Sequence, residues 1–270
     1  MNYPQQPWGQ QNYQQPNQYP QNQGQAGWGW GPAAAPQAIE TGAERLAFLR
    51  KVYALFAASV VVSGIGALIA LNFGATSAAV MYHGVPIPPL VHFFGTSPII
   101  SIIVMFGVVF GASALRRVQV VNVLALFGMA LILGLVFAPN LFIAQLAAST
   151  GSTVSANPVR DAFILASLMF GGLTGYVVIS KRDFSYIGGF LSMGFFVIFG
   201  AALLNIFLGS QVLSLAIASV GLILFGGYVL YDTSRILKSE DRDAVGGALT
   251  LYLDFLNIFL FILRLLGSRR

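Results

Sequence analysis

The chain has 270 residues, 56% of them apolar and only 9% charged, with a mean hydropathy of +0.75, a net charge of +5 and no cysteine. Soluble globular chains carry roughly 25% charged residues, so this composition excludes an ordinary cytoplasmic enzyme, a nucleic-acid binder and a secreted disulfide scaffold. It predicts an all-α polytopic membrane protein. A transmembrane barrel would alternate apolar and polar residues in segments of about ten, and the long unbroken apolar runs exclude it. Without cysteine there is no thiolate metal site or iron–sulfur cluster.

Residues 1–38 form a Gln-, Pro-, Asn-, Tyr-, Gly- and Trp-rich block with no charge before Glu40. Such a tract buries too little apolar surface to offset its ordering entropy, which predicts a disordered tail. It lacks the basic and apolar regions of a signal peptide. It reads either as a solvated cytoplasmic tail or as a segment that binds a membrane protein partner through Tyr3, Trp8, Tyr13, Tyr19, Trp28 and Trp30. Residues 39–270 read as a seven-helix transmembrane domain.

A helix needs about 20 apolar residues to cross the hydrocarbon core. Seven stretches qualify: 52–73, 96–115, 119–139, 161–180, 185–208, 212–232 and 248–266. Lys181-Arg-Asp183 makes a tight turn between the fourth and fifth, and Gly209-Ser210 joins the fifth to the sixth. The pairs Gly107/Gly111 and Gly171/Gly175 have the four-residue spacing that brings helix backbones close.

Lys and Arg placement sets orientation. Arg45, Arg50, Lys51, Arg116, Arg117, Lys181, Arg182, Arg235, Lys238 and Arg242 all fall on one side if the spans alternate, against Arg160 in the opposite loops. This predicts a cytoplasmic N-terminus. Arg264, Arg269 and Arg270 oppose the rule if the last span crosses; a re-entrant last segment would keep them inside, but its length favours crossing. The 74–95 segment, with Pro86, Pro88, Pro89, His83 and His92, reads as an exterior loop packed by its prolines. Two histidines without a nearby acid or thiol make a poor metal site.

Ionisable groups inside a span are costly and face a partner or a water-filled cavity. Asp254 sits about two turns inside the last span, and Asp232 is read as ending the sixth. Thr250, Asp254, Asn257, Phe261 and Arg264 recur every three or four residues, so they share one face that should turn inward. Asn257, Thr250 and Tyr252 are the supporting polar residues of that helix. Alternation puts Asp232, Asp254 and Arg116, which closes the second span, in one layer near the cytoplasmic mouth. Two close carboxylates in a low-dielectric site resist double ionisation. A shared proton would latch the sixth and seventh spans together. Its loss would leave repulsion that Arg116 partly offsets, and the freed carboxylates of Asp232 and Asp254 could take a hard cation such as calcium. The competing reading makes Asp232 an interfacial helix-end residue and Asp254 a structural hydrogen-bonding group. No catalytic residue is assigned: HExxH, GxSxG and phosphate-loop motifs are absent, Gly171-Gly-Leu-Thr-Gly175 lies within an apolar span, and neither aspartate follows the Gly-x-Gly pattern of an intramembrane aspartyl protease.

Phe170-Gly-Gly-Leu-Thr-Gly-Tyr176, Lys181-Arg-Asp-Phe-Ser185, Tyr228-Val-Leu-Tyr-Asp-Thr233 and Ala248-Leu-Thr-Leu-Tyr-Leu-Asp-Phe-Leu-Asn-Ile-Phe259 resemble the Bax inhibitor, or transmembrane Bax-inhibitor-motif, family over about residues 45–267. The resemblance implies a seven-helix fold with the last helix central. It implies a pH-sensitive calcium leak in which Asp232 and Asp254 are the sensing pair and Arg116, or its neighbour Arg117, is their second-helix partner. Bacterial members can carry an acid deeper in the second helix; here that stretch is Ile102-Ile-Val-Met-Phe106. The expected function is a pH-sensitive calcium leak channel or transporter, not an enzyme, with calcium as transported ion and no cofactor, in a bacterial inner membrane. The alternative is a non-transporting interaction protein that modulates a membrane protease or a stress or cell-death regulator.

Overall fold

The structure, a computed structural model, describes residues 42–73, 80–82, 85–151, 153–239 and 242–268. The 1–38 tail, His83, Arg269 and Arg270 lie outside the described residues. In chain order the elements are α1 (Gly42–Asn72), the strands β1 (Val80–Tyr82) and β2 (Val85–Ile87), then α2 (Pro89–Thr96), α3 (Pro98–Leu115), α4 (Val121–Ser149), α5 (Pro158–Ser180), α6 (Gly188–Leu208), α7 (Gln211–Lys238) and α8 (Ala244–Leu266). Among the described residues seven helices are long and apolar enough to cross a membrane; α2 is the short one. The fold is the expected all-α polytopic membrane protein.

Three helices outrun their apolar windows by six residues or more. α1 begins ten residues before Val52, with Glu44, Arg45, Arg50 and Lys51 exposed along its early turns. α7 continues six residues past Asp232, to Lys238. Hydropathy marks only the lipid-crossing part of a helix, which runs on into water until something breaks it. α4 was expected to stop at Pro139 but carries that buried proline internally and ends at Ser149. In lipid a broken helix would strand backbone polar groups, so continuing through the proline is favoured. The 74–95 loop holds more structure than expected. β1 and β2 pair antiparallel (Val80 with Ile87, Met81 with Pro86, Tyr82 with Val85), and Pro88 and Pro89 start α2, where a missing N–H costs nothing. α2 packs against α4.

The last helix is central. α8 packs extensively on α1, α4, α5 and α7, and thirteen of its residues are buried. α3 and α6 stand at the periphery, burying only Ala112, and Leu191 with Ile198.

α1 and α4 cross with their backbones in contact. A Cβ on Gly134 would collide with the Ser63 carbonyl of α1, and one on Gly66 with the Leu131 carbonyl of α4. Ala130 and Ala138, four residues either side of Gly134, are fully buried. This corrects the sequence expectation. Gly107, Gly111, Gly171 and Gly175 have nothing within 4 Å of an added Cβ, so their spacing serves no close crossing.

The α3–α4 turn holds an unfavourable backbone. Val120 has φ 67° and ψ −48°, and the Val121 N–H donates to Gln119 O at 2.8 Å. That is the positive-φ γ-turn, rare and strained, and a β-branched residue fits it poorly. Val120→Gly is expected to raise stability by about 1 kcal/mol, read as a higher unfolding midpoint in detergent.

Candidate functional site

The α7–α8 hairpin builds the site. α7 opens on Ser210, whose Oγ accepts from the Leu213 N–H at 3.3 Å, directly after Gly209, whose φ of 59° ends α6. α8 opens on Asp243, whose Oδ1 accepts from the Gly246 N–H at 2.7 Å. Between them α7 and α8 place Asp232 and Asp254 opposite each other. Asp232 is 8% exposed and Asp254 4%, and the two carboxyls lie within hydrogen-bonding reach of one another. Asp254 Oδ2 is buried and receives no hydrogen bond from the protein.

Asp232 is not at a helix end. α7 runs about 9 Å beyond it, and α8 begins about 15 Å before Asp254, at 1.5 Å per residue. The pair therefore sits further from the helix ends than the sequence windows suggested, and the structure places Arg116 elsewhere. Arg116 follows the last residue of α3, level with the start of α8, and its Nε lies 3.5 Å from Asp243 Oδ2. Asp243 thus caps α8 and ties it to α3. The guanidinium at the aspartate pair belongs to Arg235, one turn after Asp232 on α7. Its Nη1 is 3.6 Å from Asp232 Oδ1, and its centre is 5.3 Å from the Tyr231 ring centroid.

The polar stripe of α8 lies on its α7 side rather than in the middle of the bundle, against expectation: Asp254 is its one buried residue, Thr250, Asn257 and Phe261 are half-buried, and Arg264 is exposed. Asp254 meets Asp232, Phe261 packs on Gly221 and Phe225, and Arg264 Nη2 donates to Ser214 Oγ at 2.6 Å. Asn257 and Thr250 are occupied locally: Asn257 Nδ2 donates to Leu253 O at 2.7 Å and Thr250 Oγ1 to Gly247 O at 3.1 Å. Tyr252 points elsewhere, toward Ser63 of α1.

Ion pairs join the helix ends on the Asp243 side of the bundle. Arg242 Nη2 lies 3.3 Å from Glu44 Oε2, and Lys238 Nζ 2.7 Å from Asp183 Oδ2. Asp183, in the α5–α6 connection, also accepts from the Ser185 hydroxyl and amide. Lys238 first, and the two Ser185 donors second, hold its carboxyl well below the usual carboxylate range. Its contribution to stability is therefore present at neutral pH and is lost only as strong acid protonates it. Sequence reasoning counted Arg235, Lys238 and Arg242 only as orientation signals. The i,i+3 spacing of Asp232 and Arg235 was the available clue.

Two carboxyls in mutual reach, one with an oxygen that receives no hydrogen bond, can share one proton. Among the described residues no group of three or more His, Asp or Glu side chains is placed to hold a metal ion. Two carboxylates supply fewer than the roughly six to eight oxygens calcium prefers.

A family profile described as "Inhibitor of apoptosis-promoting Bax1" matches residues 45–270. An uncharacterized protein of Campylobacter jejuni is 34% identical over 82% of this chain and 88% of its own length. Protein lifeguard 4 of Mus musculus is 29% identical over 93% of this chain and 95% of its own. A Golgi anti-apoptotic protein of vaccinia virus is 32% identical over 82% and 85%. The profile match runs through all seven spans and the aspartate-bearing hairpin, and the chain accordingly belongs to the Bax inhibitor family.

Proposed function

We propose that the protein is a pH-sensitive calcium leak pathway, cytoplasmic at its N-terminus and resident in a bacterial inner membrane, with Asp232 and Asp254 as its proton-operated gate. The observation that carries this reading is the pair itself: two buried carboxyls facing each other across the α7–α8 contact, with Asp254 Oδ2 receiving no hydrogen bond. With one proton between them they hydrogen-bond and hold the helices together. When that proton leaves, two like charges share a low-dielectric site and push α7 from α8. The bared oxygens then attract a hard cation, and calcium passes as substrate.

Arg235 is the counter-ion of this gate. It stands one turn beyond Asp232 on α7, 3.6 Å from its carboxylate. Arg235→Gln should make the pair release its proton less readily, moving the flux–pH curve alkaline by roughly one pH unit. Arg116→Gln should leave the midpoint in place, because Arg116 answers to Asp243. Asp183→Asn should also leave the curve's shape alone, since Asp183 stays ionised throughout that range. Calcium entry into proteoliposomes holding the full chain, followed across a pH series, tests all three. Equal shifts in Arg116→Gln and Arg235→Gln would remove Arg235 from the role.

The name of the viral relative, an anti-apoptotic protein, favours a second reading, a membrane interaction protein without transport. Deleting residues 1–38 and recovering bound membrane proteins separates the two. Partners lost while flux persists supports the leak. Partners recovered from a protein that passes no calcium supports the second reading.

A further inference from the structure

A cavity of about 350 Å³ lies between α1, α4, α5 and α8, away from the aspartate pair. It runs along α8 for about 12 Å, from Tyr252 at its inner end. Phe56 of α1 and Phe170 of α5 stack at 4.8 Å and close the bundle below it. The exposed residues of its lining lie on α1 and α5. Its rim holds Gly64, Phe163 and Ile164; the latter two are half exposed, and an added Cβ on Gly64 would meet nothing within 4 Å. In a membrane this rim faces hydrocarbon. Arg160 lines the cavity from the first turn of α5, at the opposite end of that helix from the Lys238–Asp183 pair, where a crossing helix would meet the lipid headgroups.

The lining does not suit a cation. Tyr252 and Ser63 contribute two hydroxyls at the inner end, the walls are otherwise apolar, and a guanidinium stands at the outer end. We infer that this cavity binds one acyl chain of a membrane glycerophospholipid, with the lipid phosphate held by Arg160. A side opening admits one chain while the second stays in the bilayer, which a diacyl lipid does and a free fatty acid does not require. Arg160 Nε and Nη2 bind Asp161 Oδ1, each at 2.9 Å. The guanidinium has five N–H donors, so donors remain for a phosphate oxygen. The volume falls within the roughly 300–1,000 Å³ usual for ligand cavities.

The test uses the full chain in liposomes containing phosphatidylglycerol with a photoreactive diazirine in one acyl chain. After irradiation, labelled residues are mapped by mass spectrometry. Label is expected to concentrate on the α1–α5 rim and reach Tyr252, well above the lipid-facing surfaces of α3 and α6. Gly64→Trp, which fills the opening without a backbone clash, should remove most of that label. Arg160→Gln should lower it by roughly fivefold, the loss of a charge-assisted phosphate contact. Label spread evenly over lipid-facing helices overturns the proposal, and this map needs no variant to fold. Label undiminished in a folded Gly64→Trp also overturns it, as does a diazirine fatty acid outcompeting the phospholipid at equal mole fraction.

Discussion

Asp254→Asn is expected to fix calcium flux at its low, acid-side level at every pH. The amide is nearly isosteric with a protonated carboxyl and donates a hydrogen bond to Asp232, so α7 and α8 stay latched. It cannot ionise, so the repulsion that opens the gate never develops. At alkaline pH the variant should pass calcium about tenfold more slowly than the wild type, a coupling energy of ordinary size for a two-state element. Because Asp254 is 4% exposed and Asp232 faces it, the substitution keeps the packing, and the unfolding midpoint should change little. A variant whose flux still rises with pH like the wild type would show that the pair does not gate.

The largest loss of stability is expected at Gly134. Its α-carbon lies against the Ser63 carbonyl and the Ala67 amide of α1, and a single methyl there collides with backbone that cannot rotate away. Gly134→Ala should cost about 3 kcal/mol, at the upper end of overpacking effects, and Gly66→Ala a similar amount from the reciprocal side of the crossing. Gly107→Ala and Gly171→Ala are the controls. Both positions have open space around an added Cβ and gain helix propensity of up to about 1 kcal/mol, so neither should lower the midpoint. Thermal unfolding of the four variants in one detergent gives the comparison. Equal losses at Gly134 and Gly107 would contradict the assigned α1–α4 crossing.

The seven spans were legible because lipid demands a long apolar run, and charge placement marked their ends. The α8 stripe was legible only at Asp254: periodicity put five residues on one face, but that face lies along α7, where Thr250, Asn257 and Phe261 are half-buried and Arg264 is exposed. Asp232 and Asp254 stood out because an acid within a span needs a partner, and each is what the other faces. What hydropathy could not read was where a helix stops once it leaves lipid. α7 runs to Lys238, and that extra length puts Arg235 beside Asp232, while Arg116 pairs with Asp243 at the start of α8. The glycine crossings failed for a different reason. Four-residue spacing says that a backbone can approach, not that a neighbour is there; Gly107 and Gly171 face open space while Gly134, flanked by Ala130 and Ala138, meets α1. The Asp243–Arg116 tie joins residues more than a hundred positions apart, and no local pattern announces it.

The measurement closest to the gate itself is the separation of the two carboxyls in structures of the full chain in lipid nanodiscs at one acidic and one alkaline pH. A proton-operated latch predicts Asp232 and Asp254 in hydrogen-bonding contact in acid, and, in alkali, carboxyls drawn apart with α7 displaced from α8. The same close contact and the same helix packing at both pH values would contradict it.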